Sequence, residues 1–158
     1  MPEPATNMPM EPIRLSAMVR QPVREAFRIF TDRIGDWWPL QGFSYGRERA
    51  REIHLEPVAG GRFYERYTDG EEFDVGKVLV CEPPTRIVFS WQGDWKASTE
   101  VEIRFTPQGS VTRVDLEHRH WERLGAELGG HWRMSFQNGW PTVLGHYRRA
   151  AGMVEERA

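Results

Sequence analysis

Between about Arg49 and His120 the chain changes sides at every second residue, again and again, with a turn signal between each run. In TEVEIRF, Val101, Ile103 and Phe105 face one way while Glu100, Glu102 and Arg104 face the other. SVTRVDLEHRH repeats the pattern, with Val114 and Leu116 on one side and Arg113, Asp115, Glu117 and Arg119 on the other. A period of two over so many residues predicts antiparallel strands with one buried and one wet face. Gly60-Gly61, Asp69-Gly70, Pro83-Pro84 and Pro107-Gln108-Gly109 supply the breaks between them.

The flanks read differently. IRLSAMVR puts Ile13, Leu15, Ala17 and Val19 on one side of a first strand. Pro22 then opens a helix in which Val23, Ala26, Phe27 and Phe30 recur at offsets of three and four, ending near Asp32 to Gly35. GDWWPLQGFSYG (35–46) mixes large aromatics with breakers, as a loop or short helix folded over apolar surface does. After Gly129-Gly130 the chain turns helical again, with Trp132, Phe136, Trp140, Val143, Leu144 and Tyr147 at helical offsets; Pro141 should bend this helix or mark a restart within it. The expected fold class is α+β: a curved antiparallel sheet gripping a long C-terminal helix, with a cavity between them.

At 158 residues the chain suits one domain, which buries roughly 70% of the surface of the unfolded chain. The expected layout is a loose arm at 1–12, a single domain at 13–152 and a tail at 153–158. The arm, MPEPATNMPMEP, resembles neither a signal peptide nor a membrane span. A formal charge of -2, from 21 basic and 23 acidic side chains, provides no basic field for nucleic acid or an anionic membrane. Cys81 is the single cysteine, which excludes an internal disulfide and a four-thiolate zinc site and fits a reducing cytoplasm.

The histidines of LEHRHWERL invite a metal reading, with His118 and His120 joined by Glu65 or His131. Same-face neighbours on a strand lie about 6.5–7 Å apart, however, and no HExxH or second His-x-His supports convergence. No metal and no cofactor are expected. Parity instead sends His118 inward, with His120 at the fraying strand end, and groups Glu65 with Phe63 and Tyr67 on one face. A carboxylate sent into an aromatic interior must find a partner or a proton, and His118 is the expected partner. Cys81, in an apolar strand without a basic neighbour, reads as a packing residue rather than a nucleophile, and the Gly-Gly pairs lack the spacing of a phosphate loop.

These landmarks resemble the START-like, or SRPBCC, helix-grip superfamily, and within it the family related to the activator of heat-shock-protein ATPase. The similar pieces are PVREAFRIFTD, GGRFYERYTDG, GKVLVCEPPTRIVFSW, TEVEIRF, TRVDLEHRHWERLG and NGWPTVLGHY, spanning about Ile13 to Ala150. The resemblance implies a helix-grip fold with a cavity under the C-terminal helix. It implies function less, because similar proteins include co-chaperone domains, lipid and hormone carriers and polyketide cyclases. A eukaryotic-type co-chaperone is expected to carry a further N-terminal domain.

Seven tryptophans, in a chain 12% aromatic, are the strongest functional signal. Trp37, Trp38, Tyr45, Tyr67, Phe89, Trp91, Trp132, Phe136 and Trp140 come from the loop, sheet and helix that would enclose such a cavity. With Glu65 and His118 they form the expected site for a small apolar or aromatic molecule. Two alternatives use the same chain: a cyclase or aromatase with Glu65 and His118 as acid and base, or a co-chaperone-like module. The second requires an exposed apolar patch of roughly several hundred Å², including Trp121 or Trp95. The sheet edges and aromatic loop would also serve a homodimer.

Overall fold

A computed structural model describes residues 10–154. The order is β1 (Ile13–Val19), α1 (Val23–Phe30), β2 (Ala50–Leu55), β3 (Arg62–Tyr67), β4 (Glu72–Glu82), β5 (Arg86–Trp91), β6 (Thr99–Gln108), β7 (Val111–Arg119) and α2 (Ala126–Ala151). Short 3-10 turns stand at Ile34–Asp36, Arg47–Arg49 and Trp121–Leu124. The seven strands form one antiparallel sheet in the order β1-β7-β6-β5-β4-β3-β2. It is the α+β helix-grip architecture expected from the alternating strands and the long last helix.

The sheet curls at β4, which lies between β3 and β5 and is laddered to each over a different half of its length. Its first half, Glu72–Lys77, pairs with β3, and its second half, Val78–Glu82, pairs with β5. Gly76 sits at the change. A Cβ there would lie 1.6 Å from the carbonyl oxygen of Ser90, so only glycine lets the β5 backbone come this close. Register shifts at Ala50/Glu52, Phe63/Tyr64 and Val78/Val80 add local twist.

Alternation decides the two faces. Val101, Ile103, Phe105, Val114 and Leu116 are buried on the concave side. On the convex side opposite charges meet across neighbouring strands. Arg86 reaches Glu82 and Glu102 at 3.0 Å each, Arg119 reaches Glu102 at 2.6 Å and Glu117 at 2.9 Å, and Arg14 closes the row on Glu117 at 3.0 Å. Such cross-strand pairs each add a few tenths to about 1 kcal/mol and penalise a register slip.

Three boundaries depart from expectation. The last helix begins at Ala126, three residues before the Gly129-Gly130 pair expected to precede it. Gly129 lies inside the helix, where its missing side chain makes room for the Trp121 carbonyl oxygen that a Cβ would meet at 2.4 Å. Pro141 does not divide the helix. The carbonyl it leaves without a donor is that of Gln137, an exposed residue within reach of water. At the β6–β7 hairpin, Pro107 and Gln108 stay in the strand, and the turn is Gly109-Ser110, with Gly109 at φ +65°.

Most of the expected arm and tail lies outside the described residues. Of the part that is described, the Glu11 carbonyl accepts from Arg133 Nε at 2.6 Å, and Met153 bridges to Val19. The helices meet through α1. Tyr147 is fully buried, donates its hydroxyl to the Ala26 carbonyl at 2.8 Å and packs on Phe30 and Trp37.

Gly76→Ala should lower stability by at least about 2 kcal/mol in urea unfolding, because the Ser90 backbone has nowhere to retreat. Tyr147→Phe keeps the ring and loses one hydrogen bond, so the same measurement should show a loss of about 1 kcal/mol.

Candidate functional site

Between the concave face and α2 lies a cavity of about 400 Å³. The loop after α1 contributes Trp38, Phe43, Tyr45 and Arg47; the sheet contributes Ile53, Phe63, Glu65, Val75 and Trp91. The β5–β6 loop brings Asp94 and Trp95, and α2 brings Trp132, Ser135, Phe136, Gly139, Trp140 and Val143. The α2 residues are spaced three or four apart, so one helix stripe forms that wall. At its centre Trp91 stands edge-on to Phe136 and Trp140, with centroids 5.2 and 5.7 Å away.

Seven of the expected residues reach this wall: Trp38, Tyr45, Glu65, Trp91, Trp132, Phe136 and Trp140. Four do not. Trp37 lies in the core between the helices, with its indole N–H on the Ile29 carbonyl at 2.8 Å. Phe89 is fully buried against Phe63. Tyr67 sits behind the loop, its ring filling the space a side chain at Gly46 would need, and burial pushes its phenol up to about 12. His118 is inward, as strand parity requires, but is packed behind the wall by Trp121, 4.1 Å between ring centroids.

The expected Glu65–His118 pair does not form. Strands β3 and β7 are separated by three others, and each side chain is engaged elsewhere. Glu65, 1% exposed, accepts the Tyr45 N–H on both oxygens, at 3.0 and 2.9 Å, and the Gly46 N–H at 3.0 Å. It pins the aromatic loop to the sheet.

His118 has a different task. Trp140 Nε1 donates to its Nδ1 at 3.0 Å, which requires that nitrogen to be bare and places the neutral ring's proton on Nε2. That N–H donates to Thr99 Oγ1 at 2.7 Å, and the threonine hydroxyl passes its own proton to the Trp91 carbonyl at 3.2 Å. The chain of three bonds fixes Trp140 and Trp91, two walls of the cavity. Burial holds the His118 pKa well below the ordinary value.

His120 ends β7 in the left-handed region, at φ 73°, and points to Glu100 and Glu122 instead of joining His118. Among the described residues no three histidine, cysteine or carboxylate side chains converge as a metal site would need. Cys81 is half-buried, and burial raises its thiol pKa, as befits a packing residue. Trp121 is fully buried, and Trp95 faces the cavity, so neither belongs to an exposed patch. No helix among the described residues is long and apolar enough to cross a membrane.

Sequence reasoning missed as wall residues Ile53, Phe63 and Val75 of the sheet, Gly42, Phe43, Ser44, Arg47, Asp94 and Trp95 of the loops, and Ser135, Gly139 and Val143 of α2. Ser135, Gly139 and Val143 were accessible to it, since they share the helical stripe of Trp132, Phe136 and Trp140. The loop residues carry no periodic signal.

Tyr45 presents a phenol held firmly in the wall. Its hydroxyl oxygen accepts the Trp91 indole N–H at 3.0 Å, and its ring lies 4.8 Å from that of Phe73. Burial, with Asp94 and Glu65 nearby, pushes the phenol up to about 12 against the pull of the Trp91 hydrogen bond.

The state of His118 predicts a pH dependence. The unfolded chain protonates this histidine near pH 6.5, whereas the folded protein resists until much lower pH. Below 6.5 the unfolded state holds more protons, so stability falls with falling pH, by at most about 1.4 kcal/mol per unit. Glu72, held low by hydrogen bonds from Arg66 and Arg62, contributes only below about pH 4.5. Urea midpoints should therefore drop from pH 7 to pH 5 in the native protein, and His118→Gln should flatten that slope.

Comparison with known proteins follows the same lines. Residues 20–150 match the family model described as Activator of Hsp90 ATPase homolog 1-like protein. CalC, a self-sacrificing resistance protein from Micromonospora echinospora, is 28% identical over 89% of this chain and 94% of its own, with a TM-score of 0.69. The anthrahydroquino-γ-pyrone synthase Txn09 is 33% identical over 84% of this chain and 88% of its own, with a TM-score of 0.55. Protein MLL2253 from Mesorhizobium loti, 16% identical over 87% of this chain and 94% of its own at a TM-score of 0.65, shares the fold. No curated protein matches. With the family model spanning nearly all of the sheet and the closing helix, the chain belongs to the Activator of Hsp90 ATPase homolog 1-like family, within the SRPBCC helix-grip proteins.

Proposed function

We propose that this protein binds a small apolar or aromatic molecule in the cavity between the sheet and α2. The observation that carries this reading is the wall itself: a hollow of about 400 Å³, open at a mouth, lined mainly by aromatic side chains that include Trp38, Phe63, Trp91, Phe136 and Trp140. An aromatic enclosure with sparse polar contacts is the usual form of a small-molecule site. The hydrogen bonds that hold Trp91 and Trp140 preorganise it, so little ordering cost falls on binding.

A second reading, an enzyme of the cyclase type in the same cavity, draws support from the 33% identity with the synthase Txn09. It requires groups other than a Glu65–His118 acid-base pair, since both are committed to protein partners. The co-chaperone reading has less behind it. The exposed large apolar side chains among the described residues, Val58, Leu79, Leu128, Met134 and Met153, are spread over the β2–β3 loop, β4, α2 and the residues after it.

Native mass spectrometry of the purified protein should show a copurifying organic molecule, lost on denaturation. Ser135 is exposed on α2 at the cavity mouth, so Ser135→Trp should plug the entrance without disturbing the core. At least a tenfold loss of aromatic-ligand affinity with an unchanged melting temperature is expected, on the order of 1.4 kcal/mol of binding. Unchanged affinity would count against the cavity as the binding site.

A further inference from the structure

Many of the polar atoms around the cavity are already engaged with one another behind its walls. The indole N–H of Trp38 donates to the Phe43 carbonyl at 2.8 Å, that of Trp91 to Tyr45, and that of Trp140 to His118. Ser44 gives its hydroxyl proton to the Leu40 carbonyl at 2.7 Å. Glu65 is turned onto the loop N–H groups. Among the described residues the Trp95 and Trp132 indole N–H groups and the exposed Ser135 and Arg47 side chains also line the cavity, but the Tyr45 hydroxyl is the donor held in place by its own accepted bond: its oxygen accepts from Trp91 and its proton meets no acceptor.

That hydroxyl is held from four sides. Glu65 fixes the Tyr45 backbone, Phe73 packs on the ring, and Trp91 fixes the oxygen. The fourth side is Gly93, where a Cβ would fall 2.1 Å from the hydroxyl oxygen. A phenol that only filled space would not need its oxygen placed so closely, and an accepted N–H bond strengthens the O–H as a donor to a third group.

We infer that the Tyr45 hydroxyl is the polar anchor of the site and donates its proton to the neutral carbonyl oxygen of an otherwise apolar aromatic ketone or quinone. This deepens the binding reading above and rests on it. The neutral class follows from the charges that act at this hydroxyl. Beyond burial, the Asp94 and Glu65 carboxylates both push its pKa up and would repel a phenolate or carboxylate brought to it, while Arg47, which also lines the cavity, is exposed to solvent. Glu65 acts as a positioning residue, holding the loop that carries the phenol.

Fluorene and 9-fluorenone, flat molecules that differ only in the carbonyl, separate the possibilities in equilibrium dialysis. The native protein should bind both. Tyr45→Phe should weaken 9-fluorenone about tenfold, the loss of one hydrogen bond, and leave fluorene within about twofold, which also reports that the cavity is intact. An unchanged 9-fluorenone affinity, or an equal loss for both probes, would overturn the anchor. Failure of the native protein to bind either would overturn the cavity reading, and the anchor with it.

Discussion

The close approach of the Ser90 carbonyl to Gly76 is the constraint from which the rest of the molecule follows. There the β3 ladder on one edge of β4 gives way to the β5 ladder on the other, and the sheet turns a corner instead of continuing flat. A flat sheet would let α2 settle against it along its whole length. The bent sheet keeps contact where Tyr147 meets α1 and leaves a hollow where Trp132, Phe136 and Trp140 pass over β5. The charge rows on the convex face hold the register that this curvature needs, because a slip of one residue would send every charge inward.

Large aromatic walls bring polar atoms with them, and the structure disposes of these in an orderly way. A buried indole N–H left unpaired costs about 1–3 kcal/mol. Here the three deep tryptophans spend theirs on a carbonyl, a phenol and an imidazole. His118 is the acceptor in the most buried of these bonds, and its neutrality is a condition of the geometry: a protonated ring would offer Trp140 a second donor. Thus two residues with the appearance of an acid-base pair are fasteners, one for the helix wall and one for the loop wall. What they fasten is the surface that a ligand would meet.

This division explains how one fold serves unlike proteins. A self-sacrificing resistance protein and a pyrone synthase both match most of this chain. The sheet bend, the helix and the aromatic packing define an enclosure, while chemistry depends on which few polar atoms remain unspent in its lining.

Sequence alone determined the strands, the faces and the family. Alternation in TEVEIRF and TRVDLEHRH assigns Val101, Ile103, Phe105, Val114, Leu116 and His118 to the interior, since pleat geometry is local. The same parity in GGRFYERYTDG sent Glu65 inward, and the aromatic set supplied six further residues of the cavity wall, Trp38, Tyr45, Trp91, Trp132, Phe136 and Trp140. Parity carries no information on distance between strands, so the Glu65–His118 pairing was decided by a sheet order that puts three strands between them. Likewise Gly129 and Pro141 read as breakers by propensity, but Gly129 makes room for the Trp121 backbone, and Pro141 frees only the carbonyl of the exposed Gln137. The remaining partners, the Tyr45 and Gly46 amides for Glu65 and Trp140 for His118, come from segments distant in the chain, and only the folded arrangement brings them together.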